Sequence, residues 1–246
     1  MNDISASPNN THLLPRLYIE ESLGVGGVVP LSDESAHYLR HVLRQEDGAL
    51  LRLFNAAQGE FLGRLDYVGK RAAQARIFSV LRAPEKTFRR VHALFSPLKK
   101  DKMDFLIEKA VELGVTDLHP LVFQRSIVRD VKEERLHAQI INAAEQCERL
   151  DIPVLHHLTP LTQLLRNWEM SVSILAAMER RDFPSLIQES SKIDDSIAYL
   201  VGPEGGLTDE EMTQLLNIKS VRPVSLGPRI LRAETAVLFG LSIINQ

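Results

Sequence analysis

Two stretches near the carboxyl end of the chain combine residue types and spacings suited to ligand chemistry. In the first, LVGPEGGLTDEEM from Leu200 to Met212, a short apolar run ends in Gly-Pro-Glu-Gly-Gly and a helix signature follows two residues later. That turn carries almost no side chain except Glu204, so Val201, Gly202, Gly205 and Gly206 can offer backbone N–H and C=O groups directly to a ligand, and Pro203 its C=O alone. A phosphate-cradling loop would end in Gly-Lys-Ser/Thr, whereas here Gly206 is followed by Leu207 and Thr208. The dinucleotide fingerprint is missing as well, and its nearest echo, GVGGVVP at Gly24 to Pro30, lacks the third glycine and reads as a hairpin turn. Glu204 would repel a polyphosphate and suits a cation or an amine.

In the second stretch, LGPRILRAETA from Leu226 to Ala236, a strand again ends in Gly-Pro, and Glu234 falls in the first turn of the next helix. Two such ends in consecutive strand–helix units predict neighbouring loops lining one crevice beyond the carboxyl edge of a sheet. Arg229 and Arg232 stand between the loop and a nearly uncharged helix. Arginine is rarely left beside buried surface without an anionic or planar partner, so either structural salt bridges or a ligand should engage them. Further cations are candidates for phosphate contacts: Lys99, Lys100 and Lys102 at a strand-to-helix junction, Arg125 after the next strand, and Arg16, Arg40 and Arg44 with His41 in the first third of the chain. Arg40 and Arg44, four apart, would share one face of a helix.

These residues need elements to position them. From Leu17 to about Arg82 the texture is of short β-like runs broken by glycines, interrupted by one helix with Ser32 as its N-cap, as in a small barrel or sandwich. After the charged segment RAPEKTFRR, strands alternate with helices: VHALFSP, DKMDFLIEKAVELG, DLHPLVF, EERLHAQIINAAEQCERL, SVSILAA, IAYLV, SVRPVSL and finally AETAVLFGLSII, which is apolar on nearly every side. That alternation predicts a mostly parallel sheet covered on both faces. The expected organisation is a β-rich domain over 1–82 and an α/β domain over 83–246.

Composition narrows the function. The 246 residues carry 29 Lys and Arg against 32 Asp and Glu, so any site for a polyanion must be a local patch rather than bulk charge. Cys147 is the only cysteine and reads as a small buried residue, which excludes an intrachain disulfide and a cysteine zinc site; no metal is expected. Met1 to Thr11 is polar, without the basic start and apolar core of a signal peptide, and no apolar run is long enough to span a bilayer. A cytoplasmic location without membrane contact is expected.

The pair LVGPEGGLTDEE and LGPRILRAETA resembles the ligand loops of the SPOUT methyltransferases, specifically the RsmE-type enzymes that methylate N3 of a uridine in 16S ribosomal RNA. The likeness extends over RLYIE, HYLRHVLR and LRLFNAAQGEF, similar to that family's PUA-like barrel, and over LKKDKMDFLIEKAVELGV, PLVFQRS and AAEQCERLDIP, similar to its catalytic domain. The resemblance implies an RNA-binding PUA-like β-barrel followed by a SPOUT domain with a trefoil knot. It implies S-adenosylmethionine (SAM) held by Leu175, Ala176 and Met178, by the turn from Val201 to Gly206, by Leu226, Gly227, Ile230, Leu231 and Arg232, and by Thr235 and Ala236 of the last helix. Arg232 and then Arg229 would stabilise charge on the uracil, Glu234 or water would accept its proton, the last helix would build a homodimer, and the substrate would be 16S rRNA within the small ribosomal subunit. Two departures stand out: Ala233 occupies a position where many relatives have threonine, and Glu148 follows Cys147 where glycine is frequent. On the residues alone, an α/β enzyme with another small cofactor and a non-catalytic RNA-binding module stay open.

Overall fold

The computed structural model describes residues 8–85, 89–179, 182–193 and 196–245, the side chains of 8–10 excepted. The first seven residues of the polar N-terminal segment and residues 86–88 of the charged segment therefore lie outside the described residues. The chain forms two compact units, residues 1–86 with 144–152, and residues 87–143 with 153–246. The stretch 144–152, continuous in sequence with the α/β domain, thus belongs to the first unit.

In the first unit, strands β1 (Arg16–Tyr18), β2 (Val28–Leu31), β3 (Leu50–Asn55), β4 (Gly59–Val68) and β5 (Ala72–Arg82) form one sheet in the order β1-β3-β4-β5-β2. Leu39, Leu51, Leu53, Leu65, Ala75 and Ile77 close a dry core against it. The Gly24–Pro30 segment does not form the expected hairpin. Gly27 N–H donates to Gly24 O in a tight turn, but β1 pairs with β3 and β2 with β5. Ser32 caps helix α1 (Asp33–His37) by accepting from Ser35 N–H, as its position predicts. The helix then widens into a π turn over Tyr38–Val42, and Arg44 lies beyond it with φ 52°. The expected shared face of Arg40 and Arg44 is therefore absent, because the i, i+4 rule holds only while the α-helix continues. The π turn also decides which apolar neighbour faces inward: Leu43 packs on the core and Val42 is exposed.

In the second unit, β6 (Val91–Phe95), β7 (Asp117–Val122), β8 (Val154–Leu155), β9 (Thr159–Pro160), β10 (Ser173–Ala177), β11 (Ile197–Val201) and β12 (Val221–Val224) are joined by helices. The strands pair in parallel in the order β12-β10-β11-β6-β7-β8, with β9 on β7. Every residue of β6 and β11 is buried, the pattern of strands covered on both faces. Helices α2 (Lys100–Glu112), α3 (Glu133–Gln146), α4 (Leu161–Asn167), α5 (Leu186–Ser190), α6 (Asp209–Leu216) and α7 (Ala233–Ile244) match the predicted helical stretches. Gly114, at φ 83°, stops α2 as read from sequence. Helix α7 packs on α2, α5, β6 and β11. Its Gly240 lies so close to the fully buried Tyr199 that a Cβ there would fall 2.1 Å from the tyrosine ring, while the Tyr199 hydroxyl donates to Ala236 O at 3.0 Å. Among the described residues no helix is long and apolar enough to cross a membrane. Cys147 is half-buried rather than buried.

Candidate cofactor crevice

Because all these strands run the same way, their carboxyl ends emerge on one edge of the sheet. The ends of β11 and β12 flank that of β10, so three loops converge: one after Ala177, one after Val201 and one after Val224. Two adjoining cavities, of about 850 Å³ and 610 Å³, lie among them and share Ala177, Met178, Glu179 and Ile230. The larger is lined by the whole turn from Val201 to Gly206 together with Ile230, Leu231, Arg232 and Ala233; Leu226, Gly227 and Arg229 line the smaller. The two Gly-Pro strand ends do frame one crevice, with the end of β10 between them.

Several expected contacts move. Leu175 and Ala176 have no exposed surface and lie within the core of β10; Ala177 and Glu179, one and three residues further on, line the cavities instead. The strand ends at Ala177, where the run SVSILAA ends, and the residues that leave the sheet, Met178 among them, reach the ligand space. Thr235 and Ala236 line neither cavity: Thr235 is exposed and Ala236 is buried. Thr208 and Glu211 form the predicted capping box, and the buried Glu211 also accepts from Gln124 N–H at 2.8 Å, which ties α6 to the loop after β7.

The bareness of the glycine turn has causes within the protein. Gly206 has φ 72°, a left-handed backbone that side chains resist. A Cβ on Gly205 would come 3.1 Å from Arg125 Cβ, and the Arg125 guanidinium donates to Gly205 O at 3.1 Å. Arg125, read as a phosphate contact, thus already holds the turn through that carbonyl.

The electrostatics differ from the sequence reading at one point. Glu204 is not alone: Lys102 of α2 donates to its Oε1 at 2.5 Å and lies 3.4 Å from Glu234 Oε1. Lys102 is therefore a counter-ion of the crevice rather than a free cation for RNA. Two carboxylates around one ammonium keep one net negative charge, and Glu234 Oε2 is buried without a hydrogen-bond partner among the described residues. Glu234 sits behind Lys102 and lines neither cavity. Arg229 and Arg232 are exposed and form no ion pair with any described residue, so the salt bridges that would have given them a purely structural role are not there. Helix α7 begins beside them with Arg232 at its N-cap and no side-chain cap, and Ala233 offers no hydroxyl.

The remaining cations divide. Lys99 and Lys100 at the start of α2 are exposed and outside any ion pair among the described residues. Arg40 donates to the carbonyls of Gly69 and Lys70 and lies over the Tyr67 ring. Arg44 and His41 are exposed, His41 resting against His37. Arg16 is corrected outright: its guanidinium is buried, donating to Glu60, Ala144 O and Arg149 O over the face of Phe54, which leaves no surface for a phosphate.

A family model described as an RNA methyltransferase domain matches residues 84–245, and one described as an RNA methyltransferase PUA domain matches residues 31–78. A ribosomal RNA small subunit methyltransferase E from Rickettsia conorii is 34% identical over 229 residues, covering 92% of this chain and 93% of that one. The ribosomal RNA small subunit methyltransferase E of Neisseria gonorrhoeae, solved with SAM bound, superposes with a TM-score of 0.82 at 31% identity, covering 93% and 95% of the two chains. A Legionella pneumophila protein, also solved with SAM, gives a TM-score of 0.84 at 32% identity over 94% and 96%.

Proposed function

The chain belongs to the RNA methyltransferase family, and from that premise we propose that it transfers a methyl group from SAM to N3 of one uridine of 16S rRNA in the small ribosomal subunit. The observation that carries this reading is the crevice itself: about 850 Å³, within the range of small-ligand sites, with one net negative charge at the Lys102, Glu204 and Glu234 cluster and no lysine-tipped phosphate loop. A sulfonium and an amine suit that surplus charge and bared backbone; a polyphosphate does not. Relatives of this chain have been solved with SAM.

SAM, when bound, supplies a methyl group on a positively charged sulfur. The protein must hold uracil N3 in line with it, and positioning of that kind lowers a barrier by about 7 to 11 kcal/mol in favourable cases. As N3 loses its proton, negative charge spreads to O2 and O4, where the unpaired Arg232, with Arg229 as the second choice, supplies donors. The proton passes to water, or through water to Glu234, whose unpartnered Oε2 is buried outside both cavities. Lys99 and Lys100, Arg44 and His41 are the exposed cations assigned to RNA phosphates. The proposal further includes a trefoil knot in the last strands and helix, a homodimer built on α7 around the exposed Phe239, and a cytoplasmic location.

The test is to supply intact small subunits from cells lacking this protein, with purified protein and labelled SAM, and to map the modified base by mass spectrometry. One new N3-methyluridine in 16S rRNA is the expected result; RNA binding without methyl transfer would make the chain a non-catalytic assembly module, and tight calorimetric binding of NAD or ATP in place of SAM would assign the crevice to another cofactor. Sedimentation of the protein alone should give twice the 27.7 kDa of one chain.

A further inference from the structure

On the opposite edge of the same sheet, where the strands begin, a cavity of about 810 Å³ has no part in methyl transfer. Its lining is aromatic on one side. The rings of His119 and His156 stack with centroids 3.7 Å apart and planes 10° from parallel, and the Trp168 indole stands at 70° to the His119 ring and 80° to that of His92. All four residues line the cavity. His119 covers one face of the His156 ring, yet the His156 side chain is 38% exposed, so its other face is left for a third ring. A hydrogen bond from His156 Nε2 to Asp117 Oδ1, at 2.9 Å, fixes the orientation of that platform.

The polar groups around this platform are left over from the fold. His92 and His119 are 8% and 6% exposed, and each spends one ring nitrogen on the other, His92 Nδ1 and His119 Nε2 standing 3.1 Å apart. The second nitrogen of each ring has no hydrogen-bond partner among the described residues. Buried polar groups are seldom left so, and a ring nitrogen donates or accepts in either tautomer, so two edge contacts are on offer to whatever fills the cavity. At the exposed rim the amides of Gln163 and Asn167, also without partners among the described residues, add donors and acceptors. Charge narrows the ligand. The lining holds no lysine, Arg90 is committed to the Asp117 carboxylate, and Glu169 is an exposed acid, so a phosphate finds no unpaired lysine or arginine inside. What fits is a flat, uncharged heteroaromatic ring with donors and acceptors on its edge, held by stacking and edge hydrogen bonds as single bases are. The volume lies within the range of small-ligand sites.

We propose that this cavity is a nucleobase site, with His156 as its stacking platform and His92, His119, Gln163 and Asn167 as its edge contacts. The occupant is the base of a free nucleoside or an unpaired base of RNA. Trp168 is the only tryptophan of the chain, so its fluorescence reports on this cavity alone. The test titrates full-length protein with each of the four ribonucleosides, with and without saturating SAM. At least one nucleoside should change the Trp168 emission saturably under both conditions. His156→Ala, which removes the platform, and Gln163→Phe, which fills the cavity from an exposed position, should each weaken binding at least about fivefold, the low end of a base–aromatic contact. The urea midpoint of Gln163→Phe should stay unchanged, so that one variant reads the site without the fold. A short unstructured oligoribonucleotide separates the two sources: binding at least about tenfold tighter than the nucleoside marks an RNA base, and equal or weaker binding a free nucleoside. No response to any of the four nucleosides overturns the proposal. So does a signal that SAM abolishes, which would seat the nucleoside in the cofactor crevice, or one that neither variant weakens. Failure of methyl transfer would leave these outcomes unchanged, because Trp168 lies outside that crevice.

Discussion

Two groups of arginines in this molecule look alike in sequence and are opposites in structure. In the β-rich unit, Arg16, Arg52 and Arg82 surround Glu60, whose side chain is 1% exposed, at 2.7, 3.6 and 3.6 Å. Glu148 adds a second carboxylate, accepting from Arg52 at 2.7 Å, and its own carbonyl accepts from Arg82. Burial pulls the Arg16 guanidinium below its ordinary value, and the bond to Glu60 opposes it. In the crevice of the α/β unit, Arg229 and Arg232 have no such company. The contrast teaches that a cation's availability, not its presence, marks a site: guanidinium groups already paired with carboxylates hold a fold together, and exposed unpaired ones await an anion.

That contrast can be broken from either side. The largest effect is expected for Glu60→Gln, which leaves the buried Arg16 without a carboxylate while Arg52 keeps Glu148 and Arg82 keeps Glu85; removing one partner of a buried ion pair costs about 3 to 5 kcal/mol, read as a fall in the urea midpoint. A loss below about 1 kcal/mol would mean that the arginines reach solvent and the cluster is not a structural one. Arg232→Ala should leave the urea midpoint and SAM affinity nearly unchanged while lowering methyl transfer to small subunits about a hundredfold or more. Parallel loss of stability would move Arg232 into the first class. Glu204→Gln removes the surplus negative charge beside Lys102, and SAM affinity measured by calorimetry should drop about tenfold, or about 1.4 kcal/mol. An unchanged affinity would separate the acid cluster from the cofactor. The smallest effect is expected for Glu148→Gly. Glu148 sits at φ 61°, so glycine relieves about 1 kcal/mol of backbone strain and forfeits an ion pair of similar worth, for a net change under about 1 kcal/mol. A loss above about 2 kcal/mol would place Glu148 beside Glu60 as an organising charge.

How much of this was legible in the sequence depended on how local the cause was. Helix α7 matches the segment AETAVLFGLSII, Thr208 and Glu211 cap α6 as their spacing predicts, and the bared turn after β11 lies in a cavity, because capping and apolar periodicity act within a few residues. The positive φ of Glu148 accounts for the glycine that the family resemblance leads one to expect there. What sequence could not provide were partners from afar. Arg16 is saturated by carbonyls at 144 and 149, more than 120 residues away, and Lys102 meets Glu204 and Glu234 only once the sheet brings α2 to their loops.

The contact between Gly240 and Tyr199 reaches further than packing. With a backbone pressed against an immobile ring and a hydroxyl tethered to Ala236 O, helix α7 has neither room to slide along β11 nor freedom to roll. Arg232 and Ala233, at the near end of the same rod, therefore inherit a fixed address relative to the loop that leaves β11, and a single hydrogen atom at position 240 sets the alignment of the two halves of the crevice.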